Sequence, residues 1–110
     1  MRPKVFIVNR SSHNFTTAER FGTLVFMSDG PMNRYEVNNM ARQFWSILKD
    51  SEPGDYIVTC GLSNMNIIAC VIFVLLHEKL NLLLFKSGEY MERNLDFSMV
   101  RREGDEKGFD

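Results

Sequence analysis

A chain of 110 residues, 45% hydrophobic and 25% charged, has apolar surface for one compact domain and too little for two cores. Its formal net charge of -1 excludes the basic surface that general nucleic-acid binding needs, although basic residues predominate in the first half and acidic residues in the second. Cys60 and Cys70 lie inside apolar segments without metal-ligand spacing, so they read as reduced, buried thiols of a cytoplasmic protein, with a disulfide as the alternative.

Arg2 and Lys4 precede Val5-Phe6-Ile7-Val8, a run too short for a signal peptide and suited to a first strand over Lys4 to Asn9. The polar bend Arg10 to Asn14 follows. Thr16 and Glu19 have the spacing of a capping box, which predicts a short helix over Thr17 to Phe21 that stops at Gly22. Thr23 to Met27 reads as a second strand, closed by Ser28-Asp29-Gly30-Pro31. Asn33 and Glu36 repeat the capping spacing ahead of a helix in which Val37, Met40, Ala41, Phe44 and Leu48 share a face. Pro53 ends that segment because the residue before a proline avoids helical backbone.

Tyr56 to Cys60 then gives a third strand, Gly61 to Asn64 a turn, Met65 to Leu76 an apolar helix with Ser63 or Asn64 as its cap, and Leu80 to Phe85 a fourth strand. Two apolar strands joined by a helix must lie parallel, because no tight hairpin can link parallel neighbours. Ile67, Ile68, Val71, Ile72 and Val74 are β-branched, so propensity alone would permit a strand there; the length of the segment favours the crossover helix. Ser87-Gly88 is a two-residue hairpin turn that returns Tyr90 to Leu95 as an antiparallel edge strand.

The expected fold is therefore α/β: a small Rossmann-like, mostly parallel sheet in the order β-α-β-α-β-α-β-β with an antiparallel edge hairpin. Residues 1–100 form the single domain, and 101–110, rich in charge, a disordered tail. The run Ile67 to Leu76 is about half the length of a membrane-spanning helix, so no membrane partner is expected.

Open α/β sheets bind ligands beyond the carboxyl ends of their strands. Those ends carry Asn9, Arg10, Ser11, Ser12 and His13 after the first strand, Ser28, Asp29 and Gly30 after the second, and Thr59, Gly61, Ser63 and Asn64 after the third. Gly61 would let backbone approach a ligand, the amides opening the next helix would favour an anion such as phosphate, and Arg10 with His13 would neutralise it. The ligand-binding candidates are accordingly Asn9, Arg10, Ser11, Ser12, His13, Asp29, Gly61, Ser63 and Asn64. Neither GxGxxG nor GxxxxGK[ST] occurs, so no standard dinucleotide or nucleotide-phosphate loop is supported. Each candidate also has an ordinary role as turn, cap or solvated side chain. Ser11, Ser12 or Cys60 with His13 and Asp29 supply the residue types of nucleophilic catalysis without any spacing that assembles them. His77, near the end of the apolar helix, suits a structural role opposite the helix dipole. Neither a metal nor a cofactor is implied.

The apolar helix poses a packing question. With Met65, Ile68, Ile72 and Leu75 on the sheet, Ile67, Val71 and Val74 point elsewhere and must be covered by the preceding helix, by Phe97 to Val100, or by another subunit. Trp45, beside the stripe of the preceding helix, joins Ile67, Val71 and Val74 as an interface candidate.

The segments Ala18-Glu19-Arg20-Phe21-Gly22, Val37-Asn38-Asn39-Met40 and Leu80 to Phe85 resemble those of small uncharacterised α/β proteins of tailed bacteriophages, over most of residues 4–95. The resemblance implies a phage-encoded protein acting in the host cytoplasm and brings no activity with it. Two functions are expected. One is a non-catalytic accessory or interaction protein, a homo-oligomer (dimer) that meets a host or viral protein. The other is a binder or hydrolase of a small anionic molecule, a nucleotide or other phosphate compound.

Overall fold

The computed structural model describes residues 2–11 and 13–100. Strands β1 (Lys4–Ile7), β2 (Thr23–Phe26), β3 (Tyr56–Val58) and β4 (Lys79–Lys86) run parallel, and β5 (Glu89–Asp96) pairs antiparallel with β4. They form one five-stranded sheet in the order β2-β1-β3-β4-β5. Central β1 buries Val5, Phe6 and Ile7 on both faces, which is why its sequence is a continuous apolar run rather than an alternating one.

Three helical connectors complete this mixed α/β fold: a five-residue 3-10 helix (Thr16–Arg20) after β1, α1 (Val37–Leu48) after β2, and α2 (Ser63–His77) after β3. Helices α1 and α2 pack on one face, where Met40, Phe44, Leu48, Met65, Ala69 and Phe73 meet Phe6, Val8, Ile57 and Leu80. The short helix covers the opposite face, where Phe15 and Ala18 meet Val5, Ile7, Val58, Leu83 and Tyr90. A right-handed crossover puts its connector on the other side of the sheet when the direction of strand addition reverses, and that reversal occurs at β1.

Several local expectations are corrected. The first connector is a 3-10 rather than an α-helix, and Thr16 does not cap it: Asn14 Oδ1 accepts from both the Thr16 amide (2.9 Å) and its hydroxyl (2.7 Å). Gly22 ends it where the chain crosses β1 so closely that a Cβ would stand 2.2 Å from the Pro3 carbonyl oxygen. Asn33 turns the chain ahead of α1 by accepting from the Tyr35 amide at 2.9 Å, leaving Glu36 at the cap position without a side-chain bond. Leu62 occupies the cap of α2, so Ser63 and Asn64 fall inside the first turn. The hairpin turn at Ser87-Gly88 has φ of 51° and 85°, the pair of positive values that a two-residue turn between twisted strands requires.

The buried stripe of α2 also differs from the expected one. Met65, Ala69 and Phe73 face inward, Ile68 and Ile72 pack at the margin, and Leu75 is 73% exposed. In an almost uniformly apolar helix, hydrophobic periodicity has no phase to read; small Ala69 sets the close approach. The tail at 101–110 lies outside the described residues.

The amino ends of the strands are tied by buried polar groups that the sequence did not flag. Asp55 accepts from the Lys4 amide at 2.9 Å and the Glu52 amide at 2.8 Å, and the Asn81 side chain donates to the carbonyls of Pro53 (2.8 Å) and Asp55 (2.9 Å). His77 Nε2 shares a 2.8 Å hydrogen bond with Ser51 Oγ, and its ring packs edge-on to Phe73. Burial holds the His77 pKa below the usual histidine value, against the upward pull of Asp55 and Glu52, so the ring is neutral and a hydrogen-bonding partner rather than a cation on the helix dipole. Removing the Asp55 carboxylate strands two amide donors; Asp55→Ala is expected to lower unfolding free energy by about 2 kcal/mol in urea titrations. A histidine pKa depressed in the folded state means that the unfolded chain takes the proton first. The His77 contribution is whole above pH 6.5 and is lost as pH falls below it through the folded-state value. Thermal melts across that range should show a loss of stability that is reduced in His77→Gln.

Candidate functional site

The carboxyl ends of β1, β2 and β3 meet at one rim, and a single side chain organises it. Buried Asn9 donates through Nδ2 to Ser28 Oγ at 3.1 Å and to the Gly30 carbonyl at 2.9 Å, linking the loop after β1 to the loop after β2. Ser28 Oγ in turn donates to the Val8 carbonyl at 2.7 Å. On the β3 side, the Cys60 thiol donates to the Asn9 carbonyl at 3.0 Å. Gly61, with φ of 85°, lets the next turn pass Asn9, where an added Cβ would come within 3.0 Å of the Asn9 Cβ. Asn66 locks this turn to α2: its Oδ1 accepts from the Cys60 amide at 2.9 Å and its Nδ2 donates to the Leu62 carbonyl at 3.1 Å.

The other sequence candidates fall into separate groups. Arg10 and Asp29 form an exposed ion pair at 3.7 Å, and the Arg10 guanidinium lies 3.7 Å above the centre of the Phe26 ring, so this cation is already engaged at the β1–β2 edge. Asn64 donates to the Arg34 carbonyl at 2.7 Å, and Ser63 is exposed at the start of α2. Ser12 lies outside the described residues. Ser11, His13 and Gly61 come together instead in a cleft of about 480 Å³ between the ends of β1, β3 and β4, with Asp29 outside it. Phe15, Val58, Leu83 and Tyr90 contribute its apolar lining, Phe85 stands beside them, and Asn14, Thr59 and Cys60 complete the wall.

Phe85 and Tyr90 were missed as site residues because they belong to the terminal hairpin; only the cross-strand pairing, with ring centres 5.1 Å apart, brings them to the rim. Ser28 and Asn66 were missed as rim braces because each acts through a bond to a distant segment or to backbone. Burial pushes the Cys60 thiol up, against the smaller opposing effect of its bonds to the Asn9 and Val8 backbone, so the thiolate is disfavoured. Burial also raises Tyr90, with Cys60 adding in the same direction. Both cysteines are free thiols. Among the described residues no cluster of His, Cys, Asp and Glu could hold a metal ion, and no helix is long and apolar enough to cross a membrane.

The fold and rim define a small five-stranded α/β domain with its polar loops gathered at one edge. The chain belongs to the phage Pam3 gp32-like protein family, which matches residues 3–98. Comparison with curated proteins and with solved structures returns no match.

If Asn9 braces the rim rather than contacting solvent-borne ligands, Asn9→Ala leaves Ser28 and the Gly30 carbonyl short of a buried donor. A loss of about 1–3 kcal/mol in unfolding free energy is expected, with faster amide exchange in residues 28–30.

Proposed function

We propose that this phage protein is a non-catalytic accessory protein that self-associates through the outer face of α2. The observation that supports this reading is the ridge formed by Ile67, Val71 and Leu75, which are 61%, 50% and 73% exposed on a helix fifteen residues long. Helix α1 flanks α2, and Phe97 packs against the core while its amide donates to the Glu78 carbonyl at 2.9 Å. Neither covers the ridge, and Met99 and Val100 remain exposed themselves. Leu84, Met91 and Leu95, also exposed, share the sheet face on which α2 packs. Soluble monomers seldom leave a large continuous apolar surface in water.

A second copy is the occupant that suits the ridge best. From Ser63 to His77 the helix carries no Asp, Glu, Lys or Arg, so a two-fold pairing sets no like charges against each other and offers nothing to select a charged partner. Of the other interface candidates, Val74 is half-buried against the core and contributes an edge at most, whereas Trp45 is exposed on α1. We read the sheet as a small Rossmann-like one whose helical face does the associating. Cytoplasmic action in an infected host follows from the same reading.

One observation favours a second function, the binding of a small molecule. The cleft lies between the loops after β1 and β3, where the order of strand addition reverses, and that is the position at which open α/β sheets bind ligands.

Val71→Glu should give a folded monomer in sedimentation velocity where the native chain dimerises, with an unchanged circular dichroism spectrum, because a half-exposed glutamate stays solvated in the monomer and is buried only in the pair. The loss of association should exceed about 2 kcal/mol. A native chain that remains monomeric at high micromolar concentration would refute the self-association reading.

A further inference from the structure

Resting on the second of those functions, we propose that the cleft between β1, β3 and β4 binds a small, uncharged, flat heteroaromatic molecule of nucleobase size. The lining chemistry sets the ligand class. No Lys, Arg, Asp or Glu lines the cleft. The two arginines of the neighbouring loop and short helix are engaged elsewhere: Arg10 lies between Asp29 and the Phe26 ring, and Arg20 donates to the Tyr90 carbonyl at 2.9 Å while stacking on Phe21. A phosphate entering the cleft would shed water and meet no Lys or Arg side chain, with the single imidazole of His13 facing a group of two charges. The start of α2 does not remedy this, since Ser63 and Asn64 lie outside the cleft.

A flat ring is selected by the apolar surfaces. Tyr90 is buried with its ring at an edge-to-face angle to that of Phe85, and Phe85, 61% exposed, leaves much of its apolar surface in water beside the cleft. Phe15 lies on the same side of the sheet, making an edge-on contact with Phe26 at 5.9 Å. A ring inserted against Phe85 covers apolar surface that the protein itself leaves uncovered. Hydrogen-bonding groups mark the polar edge. Among the described residues, no side-chain partner engages the imidazole nitrogens of His13 or the hydroxyl of Thr59, and Ser11 Oγ accepts only a long 3.3 Å bond from the His13 amide. These groups can donate and accept, as the edge of a heterocycle requires and a pure hydrocarbon cannot use. A volume of about 480 Å³ is in the range of small-molecule sites and admits a nucleoside without demanding a larger cofactor.

The test is a chemical-shift titration of the full chain with adenosine, guanosine, cytidine and uridine, set beside adenosine monophosphate and inorganic phosphate. At least one nucleoside should perturb the amides of residues 59–61 and 83–85 in a saturable manner, and adding the phosphate should not tighten binding. Phe85→Ala should weaken that nucleoside at least about tenfold while leaving the circular dichroism spectrum intact, because one exposed stacking ring is removed. Thr59→Val supplies an independent variant, expected to weaken it severalfold without altering the fold. Binding of adenosine monophosphate or phosphate in the same place with no response to any nucleoside would overturn the proposal and leave small-molecule binding standing. Saturable nucleoside binding unaffected by both variants would overturn it as well. No perturbation by any of the six compounds would remove both.

Discussion

A crossover between parallel strands is right-handed, and this chain reverses its direction of strand addition at β1. From that constraint comes the unequal covering of the two sheet faces. Strand β2 is added to one side through a connector of one short helix, and β3 and β4 are added to the other side through α1 and α2. The first connector must therefore lie on the opposite face from the two long helices, where Phe15 and Ala18 pack against Val5, Ile7, Val58, Leu83 and Tyr90 and Arg20 bonds to the Tyr90 carbonyl. Beside that short connector, the ends of β3 and β4 and the start of β5 border the cleft at Thr59, Phe85 and Tyr90. The rim is drawn together by Asn9, whose bonds run to both neighbouring loops, so the reversal point is fixed by hydrogen bonds as well as by handedness.

How much of this was legible in the letters depends on which physical signal each element carries. Strands β1 to β4 are short apolar runs bounded by Gly, Pro, Ser and Asp, and both ends of that signal are local. The terminal hairpin is announced by Ser87-Gly88, since the turn alone fixes the register that pairs Lys86 with Glu89 and, seven residues on, Lys79 with Asp96. Helix α1 alternates apolar with polar faces, and Met40, Phe44 and Leu48 are buried as the periodicity requires, whereas Val37 of the same stripe, in the first turn, stays exposed. Helix α2 has no polar face, so the same method assigned Leu75 inward when it is among the most exposed apolar residues of the fold. The phase of α2 is set by tertiary contact with α1 and the sheet, which a single-sequence pattern does not contain.

The candidate site shows the same division. That Ser11, His13 and Gly61 meet follows from the parallel topology, which gathers the carboxyl ends of strands whatever their loops contain. That Arg10 and Asp29 pair with each other, away from the cleft, depends on the isolated bridge between the loops after β1 and β2, a feature without a sequence signature. Caps were misread for a related reason. Asn14 takes the role read for Thr16, and Asn66, inside α2, holds the turn that Ser63 or Asn64 was expected to hold. Short polar side chains compete for the same backbone amides, and the winner is decided by loop geometry rather than by spacing.

The two sheet faces also differ in chemistry. On the α2 ridge the exposed residues Ile67, Val71 and Leu75 are aliphatic and carry no hydrogen-bonding groups, so contact there would gain by excluding water and would specify little beyond shape. On the cleft side, aromatic rings lie beside hydrogen-bonding side chains, and the proposed ligand binding rests on that combination. Because α2 ends the cleft's turn at Gly61 and begins the ridge at Ile67, a single helix borders both. Asn66 is the joint: it fixes the Cys60 amide at the cleft with one side-chain atom and the Leu62 carbonyl of α2 with the other. A rigid-body shift of α2 on pairing would thus move the wall formed by Cys60 and Gly61, whereas a pairing that leaves α2 in place would leave the cleft indifferent to it.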